Sequence, residues 1–211
     1  MERERFIALW RRCPARGGGP EPFVAYDELR RLYAEPHRRY HTSGHLQHCL
    51  GQFELARDLV HQPDAVEMAL WFHDAIYQPS ASDNEQRSAQ LFLRWAQGCF
   101  EAGFARKVCD LILITEHETP PRTTDEKFIA DIDLSSLGLD WEIFRRDSDA
   151  VREEFSHLSD AEYYPAHARF LRSLLERPRF YFTDFFSERY EDTARRNIER
   201  YLGELAKANL V

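Results

Sequence analysis

Along most of the chain, apolar residues recur every three or four positions, the period of a helix that buries one face. Phe6, Ile7, Leu9 and Trp10 set this rhythm over residues 2–12; Phe23, Tyr26, Leu29, Leu32 and Tyr33 repeat it before Pro36, which disfavours a helical residue ahead of it. The proline- and glycine-rich residues 13–20 between them read as a loop. A third helix, capped by Thr42 or Ser43, carries Leu46, Cys49, Leu50, Phe53, Ala56 and Val60. The next apolar run continues from Val66 and Ala69 to Tyr77, and Asp83-Asn84-Glu85 opens a helix through Leu91, Phe92 and Phe100. Helices then follow over about residues 105–114, over Phe128 to Leu137 with Gly138 as its stop, and over residues 141–158, 163–175 and 183–208. Strict apolar/polar alternation persists nowhere, so the pattern predicts an all-α fold.

A chain of 211 residues with 43% hydrophobic composition suffices for one domain, here taken as residues 1–211. The net charge of −8 comes without a basic block, which argues against a stable nucleic-acid partner and fits a small-molecule protein. The longest apolar run is too short to span a membrane, and residues 1–6 lack the apolar core of a secretory signal. A cytoplasmic protein is expected. The four cysteines form no CxxC pair, so packed, reduced thiols with no assigned chemistry are expected.

Within this pattern, His73-Asp74 interrupts the apolar run Ala69-Leu70-Trp71-Phe72 … Ala75-Ile76-Tyr77. Burying an imidazole and a carboxylate costs several kcal/mol, about 3–5 if a partner is missing, so the pair needs a reason. Two readings compete: a hydrogen-bonded core histidine beside a salt-bridged aspartate, or two ligands of a divalent metal. The metal reading requires further His, Asp or Glu in apolar surroundings. His41, His45 and His48 lie within eight residues of each other at the start of the third helix, with His45 near the face of Cys49. Asp131 and Asp133 lie on the apolar stretch 128–138; a helix turns about 200° between them, so only one can face a given site. Glu85 and Ser88 follow the loop that leaves His73-Asp74, and His117 either faces the site or ends a helix.

The order His … His73-Asp74 … Asp resembles the HD superfamily, whose metal-dependent phosphohydrolases share an all-helical bundle. The marks are Arg39-Tyr40-His41-Thr42, Trp71-Phe72-His73-Asp74, Asp83-Asn84-Glu85 with Ser88, Asp133-Leu134-Ser135 with Leu137-Gly138, and Ala194-Arg195-Arg196-Asn197. They look most like a bacterial group of about this length, described as predicted phosphohydrolases. Tyr40-His41-Thr42-Ser43-Gly44-His45 is also similar to the Tyr-His-x-x-x-His stretch of cyclic-nucleotide phosphodiesterases. The resemblance implies a metal held by His45, His73, Asp74 and one of Asp131 and Asp133, with Asp133 favoured, and His41 as general acid. The metal-site segments then fall within residues 39–138 and the helices of residues 141–208 pack on them. Where many binuclear relatives have His-Glu this chain has Asn84-Glu85, which implies one divalent ion (Mn, Mg, Fe, Co, Ni or Zn) per chain. Glu85 could orient the attacking water, and Arg38 or Arg39 could meet a phosphate. The expected function is hydrolysis of a nucleotide or another small phosphoester. The alternatives are a non-catalytic metal- or nucleotide-binding sensory module, or an HD-type iron oxygenase drawing extra ligands from His48, His61 or His117.

Overall fold

The computed structural model describes residues 2–13 and 21–211; the loop expected over residues 14–20 lies outside them. Among the described residues there are ten α-helices and no strand, the all-α fold expected. The chain divides into two compact units, residues 1–130 and 131–211, with the boundary inside α7.

The first unit holds α1 (Arg3–Arg12), α2 (Pro22–Leu32), α3 (Ser43–Ala56), α4 (Pro63–Phe72), α5 (Asn84–Ala96), α6 (Ala102–Ile114) and the start of α7 (Thr124–Leu134). Its hub is α4, which packs against α1, α3, α5 and α6. The residues from Ala65 to Phe72 are buried on every face, so no amphipathic stripe marks this helix. Phe6 of α1 meets Trp71 edge-on at 5.1 Å, and Phe92 of α5 meets Phe72 at 5.2 Å.

Burial on all sides leaves one charge on α4 to satisfy. Glu67 is 1% exposed and accepts from Arg5 Nε at 2.7 Å, Arg12 Nη2 at 2.5 Å and Arg57 Nη1 at 3.1 Å. These arginines come from α1 and from the 3-10 turn Arg57–Leu59 that ends α3, so the carboxylate joins three segments. The N-terminal end of α4 is held from α7: Asp125 Oδ1 accepts from the backbone N–H of His61 at 2.9 Å and of Gln62 at 3.3 Å. The third helix stops at Ala56, short of the expected Val60, because the chain tightens into that 3-10 turn.

The second unit runs from the end of α7 through a 3-10 turn (Ser135–Gly138) to α8 (Trp141–Glu154), α9 (Asp160–Leu175) and α10 (Asp184–Lys207). Gly138 was expected as the stop of the preceding helix. What requires a glycine is proximity, since a Cβ would lie 2.4 Å from Tyr190 Cβ and 3.0 Å from its carbonyl oxygen. Asn197 of α10 fixes the same turn, donating through Nδ2 to the carbonyls of Leu137 (3.0 Å) and Leu139 (2.8 Å). Arg195 bonds Glu191 and also closes the end of α9 through the carbonyls of Leu175 and Arg177, each at 3.0 Å. The α9 start at Asp160 follows from the Ser159/Glu162 capping box.

Two outcomes follow for stability. Glu67→Ala strands three arginines that are partly exposed and can turn to water, so it should cost about 3 kcal/mol, the lower end for a broken buried pair, measured by urea unfolding. In the second unit, burial lowers the His167 imidazole, stacked 5.2 Å from Tyr163, to about 4. The folded unit therefore resists a proton that the unfolded chain takes up near 6.5. The contribution is complete above that value and lost as pH falls towards 4. Denaturant midpoints across this window should drop for the parent protein and flatten in His167→Phe.

Candidate functional site

The exit of α4 builds the site. The apolar run to Tyr77 suggested a continuing helix, but α4 ends at Phe72, and His73 is its C-cap with a helical backbone (φ −54, ψ −43). A helix that ends inside a protein exposes carbonyls that water cannot reach, so other donors must come to them. Here they come from side chains. Tyr33 Oη donates to Trp71 O at 3.3 Å, Ser88 Oγ to Ile76 O at 3.3 Å, His37 Nε2 to Tyr77 O at 2.8 Å and Asn84 Nδ2 to Gln78 O at 3.1 Å. Arg38, 3% exposed, supplies Asp74 O at 2.7 Å and Ala75 O at 3.0 Å. Ser88 and Asn84 also accept the backbone N–H of Ile76 and Gln78, at 3.0 and 2.9 Å. The loop is thus strapped along its length.

The same accounting fixes a proton. His73 Nδ1 lies 2.8 Å from the Leu70 carbonyl, which only accepts, so Nδ1 carries hydrogen and Nε2 offers its lone pair. That Nε2 faces His45 Nε2 at 3.3 Å and Asp74 Oδ2 at 3.0 Å, and His45 Nε2 lies 3.5 Å from the same oxygen. With metal–ligand bonds of about 2.1 Å, neighbouring ligand atoms lie about 3.0 Å apart at right angles and about 3.4 Å apart at tetrahedral angles. All three separations fall close to that range. Asp74 Oδ2 is buried and makes no hydrogen bond, despite the imidazoles beside it. Burial pushes the Asp74 carboxyl up, but His73, His41 and His45 outweigh it and hold the group well below the usual carboxylate range. An ionised, buried oxygen with two imidazole nitrogens within 3.5 Å suits a cation.

His45 is carried by α3, whose first turn is capped by Thr42 Oγ1 accepting from Gly44 N at 3.2 Å. His45, Cys49 and His73, all buried, belong to a group of side chains that could hold a metal ion. Asp133 sits on the last turn of α7. Its neighbour Asp131 accepts from Phe182 N (2.8 Å), Thr183 N (2.8 Å) and Thr183 Oγ1 (2.7 Å), which commits both its oxygens to the start of α10. Cys49 was given no chemistry from the sequence, although its i, i+4 spacing from His45 signalled a shared face. Its sulfur lies 3.6 Å from Nε2 and 3.9 Å from Nδ1 of that ring, beside the imidazole and off the Nε2 lone-pair axis. In this rotamer it packs the ring.

His41 stacks on Tyr77 at 4.0 Å and lies 5.9 Å, centroid to centroid, from His45. Glu85 is half-buried in the first turn of α5. Asp83 precedes that helix without a side-chain cap bond. Arg38 is enclosed and fully used, so it is not the phosphate contact considered above; Arg39 donates to the carbonyls of Pro36 and Arg38. His117 lies beyond the C-cap of α6 in the left-handed region (φ 57), and neither it nor His48 or His61 enters the metal-capable group.

No known protein family, curated protein or solved structure was found to match the chain. The site therefore stands on its own geometry and on the motifs quoted above.

An ion bound only by the folded protein stabilises it by mass action, about 2.7 kcal/mol at a hundred times Kd. Adding Mn²⁺, Co²⁺ or Zn²⁺ to chelator-treated protein should raise Tm. Asp74→Asn, which replaces the orphan oxygen's charge, should abolish the shift.

Proposed function

We propose that the protein is a metal-dependent phosphohydrolase that cleaves a nucleotide or another small phosphoester, using one divalent ion per chain. The observation that carries this is the meeting of His45 Nε2, His73 Nε2 and Asp74 Oδ2 within 3.5 Å of one another, with Oδ2 buried. His45, His73, Asp74 and Asp133 are the assigned ligands. Two imidazoles and two carboxylates suit Mn, Fe, Co, Ni or Zn better than a soft-metal site would. Such an ion, when bound, lowers the pKa of water from 15.7 to about 7 and polarises a phosphoryl oxygen.

The protein's own groups do the rest. His73 is oriented by the Leu70 carbonyl, so its proton stays on Nδ1 while Nε2 serves the site. His41, stacked on Tyr77, is the assigned donor of a proton to the leaving oxygen, and Glu85 is assigned to orient water. Asn84 spends both ends of its amide on Gln78 and is not free to hold a second ion, which supports a single metal. Among the described residues no helix is long and apolar enough to cross a membrane, and a soluble cytoplasmic substrate is part of the proposal.

A phosphate-release screen over nucleotides and simple phosphoesters in Mn²⁺, Mg²⁺, Co²⁺ and Fe²⁺ tests the reading. Turnover should appear with at least one metal and vanish in His73→Ala and Asp74→Ala. His41→Gln should keep its metal yet lose about 10²- to 10⁴-fold in kcat, the usual worth of a general acid. Full activity in Asp74→Ala would sink the assignment.

A further inference from the structure

Arg38 connects the two parts of the site that sequence places far apart. Its Nη1 donates to the carbonyl of His41 at 3.0 Å and to that of Asp74 at 2.7 Å, while Nη2 reaches Ala75 O at 3.0 Å. Glu35 Oε2 faces Nε and Nη2, each at 3.3 Å, on the outer side. The guanidinium also lies 5.3 Å from the Tyr33 ring centre and 5.5 Å from that of Tyr77, the ring on which His41 stacks. One buried planar group thus fixes the backbone beside the assigned proton donor, the backbone of an assigned ligand, and the aromatic plate between them. Only a guanidinium presents enough donors in a fixed fork for this; a lysine ammonium is a point charge on a flexible stem.

We propose that Arg38 is a positioning residue, which sets the placement of the His73-Asp74 pair relative to His41 without touching substrate or ion. The inference rests on the metal-site reading above. Outer-shell partners that hold ligands in place typically govern about 10- to 100-fold in metal affinity. Loss of the fork lets the Asp74-Ala75 turn relax, and the ligand atoms leave their 3.0–3.5 Å spacing.

The test uses Co²⁺ as probe on the full chain, reading affinity by titration and ligand geometry from the visible d–d spectrum. Arg38→Lys should fold, with helical circular dichroism like the parent, and should bind Co²⁺ about 10- to 100-fold more weakly with altered bands. Added guanidinium ion at low concentration should restore the parent spectrum in Arg38→Ala. Should Arg38→Lys fail to fold, Glu35→Gln, which loosens the guanidinium from its half-exposed side, should shift the bands in the same direction by less. Parental affinity and spectrum in the folded variant overturn the proposal, even if Tm falls, because a purely structural arginine would give that result. A parent protein that takes up no Co²⁺ overturns the metal reading itself, and this inference with it.

Discussion

The constraint on which the first unit depends is that α4 is buried on every side and yet has to end. A helix inside a protein carries its backbone hydrogen bonds with it until its last turn, and there the carbonyls lose their partners. Orphaned, each would cost about 1–3 kcal/mol. The chain answers by bringing Tyr33, His37 and Arg38 from one side and Asn84 and Ser88 from the other to the loop that follows. That satisfies the main chain. It also leaves the His73 and Asp74 side chains buried, with their ligating atoms within 3.5 Å of His45 Nε2.

The opposite end of α4 shows the same economy with charge. Glu67 gathers arginines from α1 and from the turn after α3, so the most buried helix is tied electrostatically to the segment that carries His45. Buried ion pairs seldom add net stability over apolar packing, because desolvation consumes the Coulombic gain. What this one supplies is register, since a carboxylate with three bound arginines tolerates little sliding between those helices.

Much of this could be read from the sequence, and the exceptions have physical causes. Helix positions followed from apolar periodicity, and His73, Asp74 and the Asp131/Asp133 pair stood out as polar groups in apolar settings, whereas the choice of His45 and Asp133 as ligands came from the resemblance. The end of α4 was not legible, because Ala75, Ile76 and Tyr77 are as apolar as the helix before them and the stop is imposed by partners from elsewhere. Arg38 looked like a surface or phosphate-binding cation, since sequence records a charge but not the three carbonyls that absorb it. Cys49 carried its signal in the four-residue spacing to His45. The division between Asp131 and Asp133 was visible only as an alternation of faces; the bonds that commit Asp131 involve Phe182 and Thr183, about fifty positions on.

The partner that orients His73 is the main-chain oxygen of Leu70. In many proteins the corresponding partner of a ligating imidazole is an aspartate or glutamate, which a single codon change can delete. Here no change of side chain at position 70 removes the acceptor, because every amino acid brings the same carbonyl. The ring's orientation is therefore insulated from sequence drift at its neighbour and exposed only to events that redraw the backbone, such as a proline within the last turn of α4.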